Sequence, residues 1–206
     1  MPRTDARGGP QTRARISQIA TRLFLEHGFG AVTVADVARE AGVSTVTVFK
    51  HFPRKEDLLL DRAEDAVQML RSAVRDRPAG TDVLDSLQAM LLRLTDDRHG
   101  LSGTAAESAP FFRTVAGSAP LIARAREIAA DLQHQLADEL ERDPGFDGDS
   151  TLLAAFFISG YTTVLTDNAR RLIAGEPSTE VVRNHRQRLE QLIRLLRGGV
   201  GETAAV

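Results

Sequence analysis

A chain of 206 residues with 42% hydrophobic content can bury a core in one small module and one larger domain, which excludes a wholly disordered chain. It has no Cys, so disulfides, thiolate chemistry and thiolate metal sites are excluded, and it has no run of about 18 apolar residues that would span a membrane. The net charge of −2 conceals an asymmetry: residues 1–55 carry nine cations against four acids, and the remainder carries 17 Arg against 24 acids. A basic module on an acidic body is the distribution expected where one end meets phosphate.

In chain order, residues 1–11, with Gly8, Gly9 and Pro10, are expected to form a disordered arm. Arg13 and Arg15 behind it are candidates to reach phosphates or a minor groove. The opening residues lack the apolar core of a signal peptide, so a cytoplasmic location is expected. A helix follows over residues 12–27, with Ile16, Ile19, Ala20, Leu23 and Phe24 on one face and Gly28 ending it.

Residues 33–55 are the most informative stretch. Thr33 is a good N-cap for a short helix over 34–41, in which Val34, Val37, Ala38 and Ala41 make one apolar face. Gly42 suits a backbone that must leave the helix through positive φ, Val43 plugs the corner, and Ser44 caps a second short helix over 44–52. Val48 and Phe52 would face inward together, leaving Thr45, Val46, Thr47, Lys50 and His51 outside. Two short helices joined by a tight Gly turn form the unit that lays its second helix in the major groove of DNA. Short polar, methyl-bearing and cationic side chains suit base edges, thymine methyls and phosphates.

Together with Ile16, Ala20, Leu23, Phe24, Glu26, Gly28 and Phe29, with the run Thr33 to Ala38, with Ala41 to Ser44 and with Phe49 to Leu59, this stretch resembles the DNA-binding domain of TetR-type transcriptional regulators. The resemblance covers residues 12–60 without a gap. It departs where the family often has Gly, here Val46, and where Tyr is common, here Phe49, which lacks a phosphate-bonding hydroxyl. Carried onto this chain, it implies that Thr45, Val46, Thr47, Lys50 and His51 face the groove, with Ser44 at the helix start. It implies further that Thr33, Phe49 and Lys55 hold the sugar-phosphate backbone.

Beyond Pro53 a long helix is expected over 55–75, its Glu56 and Asp57 suiting the positive end of the dipole. Thr81 or Asp82 caps the next, to about Asp97. Gly100, Gly103 and Pro110 leave residues 105–116 weakly helical, with Pro110, Phe111 and Phe112 as the expected mobile element. Ser118 and Pro120 start a helix from 121 to 142, and residues 144–149 form a turn. The last two helices, 150–174 and 178–197, carry apolar side chains around much of their circumference and must be covered on two sides. In the family such a pair forms a four-helix bundle with its twin, so Leu153, Phe156, Gly160, Val164, Val182, His185, Leu189, Leu192 and Leu196 are the expected homodimer interface.

The body over 55–174 resembles the family's ligand-binding domain in arrangement alone. Met69, Met90, Phe111, Phe112, Phe156, Phe157 and Tyr161, with His99, Gln133 and His134 among them, are the candidates to line an apolar pocket with few polar anchors. The five His lack metal spacing, and no phosphate-binding Gly loop or nucleophile–base pair is present, so an enzyme, a metal site and a cofactor are not expected. The reading is an all-α chain of about nine helices. An N-terminal helix-turn-helix domain (12–54) precedes a ligand-binding and dimerisation domain (55–197) and a disordered tail (198–206). The expected function is a dimeric repressor released from a palindromic operator when an apolar effector tilts the 55–75 helix. The rival reading is a regulator with a filled core that answers to a protein partner or to no ligand.

Overall fold

The computed structural model describes residues 9–200, with side chains to Gly198; residues 1–8 of the expected arm and 201–206 of the expected tail lie outside the described residues. Within it are nine α-helices, three single 3₁₀ turns and no strand. The helices are α1 (Gly9–His27), α2 (Val34–Glu40), α3 (Thr45–His51), α4 (Ala63–Arg75), α5 (Val83–Asp96), α6 (Ala109–Ala116), α7 (Ala119–Glu141), α8 (Ser150–Ile173) and α9 (Ser178–Val200). Contacts divide the chain into two units, one holding residues up to 61 together with 113–125 and the other 62–112 together with 126 onward. The division falls inside α6 and inside α7, so each of these helices contributes to both units.

In the first unit α1 packs on α2 and α3, and α2 on α3. The apolar positions legible in the sequence form its core: Ile16, Ala20, Phe24, Val37, Val48 and Leu58 are fully buried, and Phe52 nearly so. Phe24 and Phe29 add a tilted ring pair with centroids 5.0 Å apart.

The expected helix over 55–75 is not continuous. A 3₁₀ turn at Glu56–Leu58 is followed by an irregular stretch, and α4 starts only at Ala63. Asp61 is tied back to α1, its carboxylate accepting from Ser17 Oγ at 2.5 Å and its carbonyl from Arg13 at 3.0 Å. Leu58 and Leu59 are both buried beside that tie.

The second unit buries one large apolar cluster, from Leu70 and Val74 on α4 and Leu87 and Leu91 on α5 to Leu136 and Leu140 on α7, Phe157 on α8 and Leu189 on α9. Asp82 is the N-cap of α5, accepting from the backbone of Leu84 and Asp85. Glu139 of α7 is 4% exposed and accepts from Arg71 at 3.1 Å and from Arg75 at 2.5 and 3.0 Å, which fastens α4 to α7. Arg77 adds an ion pair with Asp143. A smaller cluster of Ala109, Leu172 and Val181 is capped by Phe112. The weakly helical segment is folded: a turn at Ala106–Ser108 leads into α6.

Candidate nucleic-acid interface

The presenting helix is built by local chemistry. Thr33 and Asp36 form a reciprocal capping box at the start of α2: Thr33 Oγ1 accepts from the Asp36 amide at 3.1 Å, and the Thr33 amide donates to the Asp36 carboxylate at 3.0 Å. The side-chain and backbone bonds from Thr33 hold the Asp36 carboxyl down at about 2. At the other end Gly42, with φ +64, closes a Schellman motif in which Val43 donates to Ala38 O at 3.0 Å and Gly42 to Arg39 O at 3.2 Å. Only a residue free to enter the left-handed region turns the chain so tightly. Ser44 then caps α3, its hydroxyl accepting from the Thr47 amide at 3.1 Å.

Helix α3 is fixed on its inner face by Val48 and Phe52 and presents the rest to solvent. Val46 is 76% exposed and Phe49 50%, which sets two large apolar side chains on the open face of α3. Thr45 and Lys50 are exposed beside them, and Thr47 and His51 are half-buried. The His51 ring lies 6.5 Å from that of Phe52, centroid to centroid, leaning on the core rather than extending freely. The Ser44 and Thr47 hydroxyls share one hydrogen bond of 2.9 Å, so one of the two protons is left for an outside acceptor.

Three residues stand differently from their sequence assignment. Thr33 gives its hydroxyl proton to Asp36 at 2.6 Å and its amide proton to the same carboxylate, so it has no donor left for a phosphate. Lys55 turns inward: its ammonium donates to the Phe29 carbonyl at 2.6 Å and sits 4.3 Å from the centre of the Phe29 ring and 5.6 Å from that of Phe24. Burial lowers its pKa, partly opposed by Glu56. Arg13 is not a free arm residue but is stacked 4.8 Å over Phe52 and bonded to Asp61.

Residues 16–61 match the family model described as bacterial regulatory proteins, tetR family. The chain belongs to the TetR family. It is 26% identical over 159 residues to the regulator TcmR of Streptomyces glaucescens, spanning 75% of this chain and 70% of that protein. It is 30% identical over 139 residues to the repressor BepR of Brucella suis, spanning 64% of this chain and 65% of that protein. Among solved structures, the TetR-family repressor FadR of Thermus thermophilus, determined with lauroyl-CoA, superposes with a TM-score of 0.57 at 26% identity, covering 94% of this chain and 98% of that one. As a TetR-family member the chain is a helix-turn-helix DNA-binding regulator of transcription, not an enzyme.

The ten pocket candidates of the second unit do not line one cavity. Met90 and Phe157 belong to the large core cluster, and Met69 and Tyr161 are packed against that cluster. Phe111 and Phe112 pair edge-on at 5.5 Å, and Phe112 covers the smaller cluster. His99 is a cap, its Nδ1 accepting from Leu101 N. Gln133 and His134 line a groove of about 310 Å³ between α7 and the start of α8, whose other walls are mostly polar and include Asp138, Glu141 and Ser150. Phe156 is 58% exposed.

The expected dimer stripe is likewise divided. Leu153, Val164, His185, Leu189 and Leu196 are buried inside the protomer, and Val182 and Leu192 are half-buried. Gly160 serves the protomer itself, because a Cβ there would collide with Leu192. The apolar side chains left outside on α8 and α9 are Leu152, Phe156 and Leu195, of which the sequence pattern singled out Phe156 alone. Among the described residues no group of three His, Asp or Glu is placed to hold a metal ion, and no helix is long and apolar enough to cross a membrane.

Proposed function

We propose that this regulator is a dimeric repressor that reads a palindromic operator through α3 and is released from it by a small molecule. The observation that carries the reading is the exposure of Val46 and Phe49 on a helix capped at its start and fixed by Val48 and Phe52. Apolar groups held out on a rigid frame suit thymine methyls and sugars, and Lys50 beside them suits a guanine edge or a phosphate. Ser44, Thr45, Thr47 and His51 complete the docking surface, and Thr33 and Lys55 support it from behind.

The dimer is the means by which two short helices gain specificity. A two-fold pair reads two half-sites about 34–36 Å apart, whereas a single copy would rely mainly on salt-sensitive phosphate contacts. The exposed side chains of Leu152, Phe156 and Leu195 are the apolar surface on α8 and α9 that such pairing would cover. For the effector, support comes from FadR, a repressor determined with lauroyl-CoA. Since α6 and α7 contribute to both units, a ligand that repacks one unit can bias the other only through a difference in affinity for two states. Titrating a candidate effector with and without operator tests this: linkage requires that operator weaken effector binding by the factor by which effector weakens operator binding. Equal affinities would refute it.

A second reading has a specific observation in its favour. Met90 and Phe157, two of the pocket candidates, are packed core, as expected of a regulator that answers to a protein or to no ligand. A screen in which no small molecule shifts operator affinity, while a protein from the same cell does, would favour it.

A further inference from the structure

Most polar side chains buried in the second unit are accounted for. Glu139 is held by arginines, Thr95 donates to the Leu91 carbonyl at 3.0 Å, and the Ser102 and Thr104 hydroxyls bond each other at 3.0 Å. Asn168 of α8 and His185 of α9 are different. Both are 0% exposed, they bond each other, and each keeps one atom without a partner: Asn168 Oδ1 and His185 Nε2.

The network fixes which atom is which. Asn168 Nδ2 contacts two atoms, the Ser102 carbonyl at 3.4 Å and His185 Nδ1 at 2.9 Å. A carboxamide NH₂ has two protons and can serve both, whereas the flipped side chain would set oxygen against the Ser102 carbonyl. His185 Nδ1 is therefore the lone-pair nitrogen, and the neutral ring carries its proton on Nε2. The two unused atoms are thus one acceptor, on Asn168, and one donor, on His185. Burial, with the charge of Arg186 adding to it, pushes the His185 pKa down to about 4, in keeping with a neutral ring.

What lies around the pair is apolar and irregular. The Tyr161 ring stands edge-on to His185 with centroids 6.3 Å apart, and its hydroxyl donates to the Leu101 carbonyl at 2.9 Å. Leu101 and Ser102 belong to the 3₁₀ turn Gly100–Ser102, so α8 holds that turn by two side-chain bonds, the Asn168 one being long. Gly103 follows with φ +61, and a Cβ on it would stand 3.0 Å from Phe112 and 3.1 Å from Leu165. The segment bridging α5 and α6 therefore closes over this corner of α8 through two short turns rather than a helix.

We propose that Asn168 and His185 are the polar anchor of a small-molecule site beneath the Gly100–Ser102 turn, which takes a neutral, largely aromatic ligand through one hydroxyl or carboxamide. The head group accepts from His185 Nε2 and donates to Asn168 Oδ1, and Phe112, Tyr161 and Leu165 supply the apolar walls. A carboxylate would set its charge against the Asn168 oxygen with no cation bonded to it. The site opens by lifting the turn off α8, so it is a minor-state pocket that the ligand makes dominant. This rests on the ligand-responsive reading and specifies its chemistry. Two apolar side chains would fill the same space without stranding a donor and an acceptor, which makes the pair costly for packing alone.

The test uses the full-length protein and four probes with one ring skeleton: naphthol, naphthamide, naphthoate and naphthalene. Naphthol and naphthamide are expected to raise the melting temperature and to shift the His185 Nε2 resonance in ¹⁵N spectra, whereas naphthoate and naphthalene do neither. Asn168→Leu with His185→Phe is expected to melt no lower than the parent and to lose the naphthol response. Equal shifts with naphthoate, an unchanged His185 resonance with both neutral probes, or a naphthol response that survives in the variant would each overturn the proposal. If the double variant fails to fold, the His185 resonance in the parent still decides. None of these readouts involves DNA, so a negative result here leaves the operator reading standing.

Discussion

Lys50 and Lys55 are the only lysines in the chain, five residues apart, and the fold gives them opposite tasks. Lys50 is exposed on α3, whereas the Lys55 ammonium is spent on the Phe29 carbonyl and two aromatic faces. Lys50→Ala is therefore expected to leave the melting temperature unchanged and to relax base preference at one position, by about 1–3 kcal/mol of discrimination. Lys55→Met is expected to cost about 1.5–3 kcal/mol of stability, the range for a hydrogen bond from a charged group, without flattening the salt dependence of DNA binding. A flattened salt slope with unchanged stability would put Lys55 on phosphate instead. His185 gives a pH signature. Its ordinary pKa of 6.5 falls to about 4 in the fold, so between those values the unfolded chain binds the extra proton. Stability is then full above 6.5 and declines as pH falls toward 4, by at most about 1.4 kcal/mol per pH unit for one proton. Melting curves across that window should flatten in His185→Phe; an equal slope in both proteins would assign the effect elsewhere.

At the scale of elements, the Gly42 turn and the Glu139 clasp carry most of the local specification. Gly42→Ala forces a Cβ into φ +64 with nothing nearby to compensate, and about 1–2 kcal/mol of destabilisation is expected in urea titration. For Glu139, burial alone would raise the pKa, but the bonds from Arg75 and Arg71 overcome it and the net shift is downward. Its contribution is therefore present above the ordinary carboxyl value of 4.5 and is lost as pH falls below it, a window that begins near the lower end of that of His185. Glu139→Gln should remove that acid dependence; its persistence would contradict the clasp.

The same elements show what the sequence could and could not tell. Helices α2 and α3 were legible nearly to the residue because caps, a Gly turn and apolar spacing agree. Residues 55–75 read as one helix because the spacing of Leu58, Leu59, Ala66 and Leu70 is helix-compatible, while the tie of Asp61 to Ser17 and Arg13 spans more than 40 residues and leaves no local trace. On α8 the apolar side chains surround the helix, so periodicity could not choose between Leu153 and Phe157 inside and Leu152 and Phe156 outside. Asn168 escaped notice altogether. Its neighbours Thr166, Asp167, Arg170 and Arg171 are polar, and its one signal is helical spacing, seven residues from Tyr161 and four from Leu172.

For the whole molecule, the proposed function hangs on pairing. Phe156→Asp replaces a side chain that is 58% exposed in the protomer, so the fold should tolerate it. Light scattering is expected to show the variant as a monomer and gel shifts to show a loss of operator binding of at least about 100-fold, since specific binding exceeds non-specific binding by roughly 10³–10⁷. A fully dimeric Phe156→Asp protein would move the interface elsewhere. The central claim, that two copies of α3 read two turns of one groove, is tested most directly by selecting duplexes from a random pool with the purified protein. The account predicts enrichment of a palindrome whose half-site centres lie about one or more whole helical turns apart. Enrichment of a single half-site without its inverted repeat, or of no sequence at all, would contradict it.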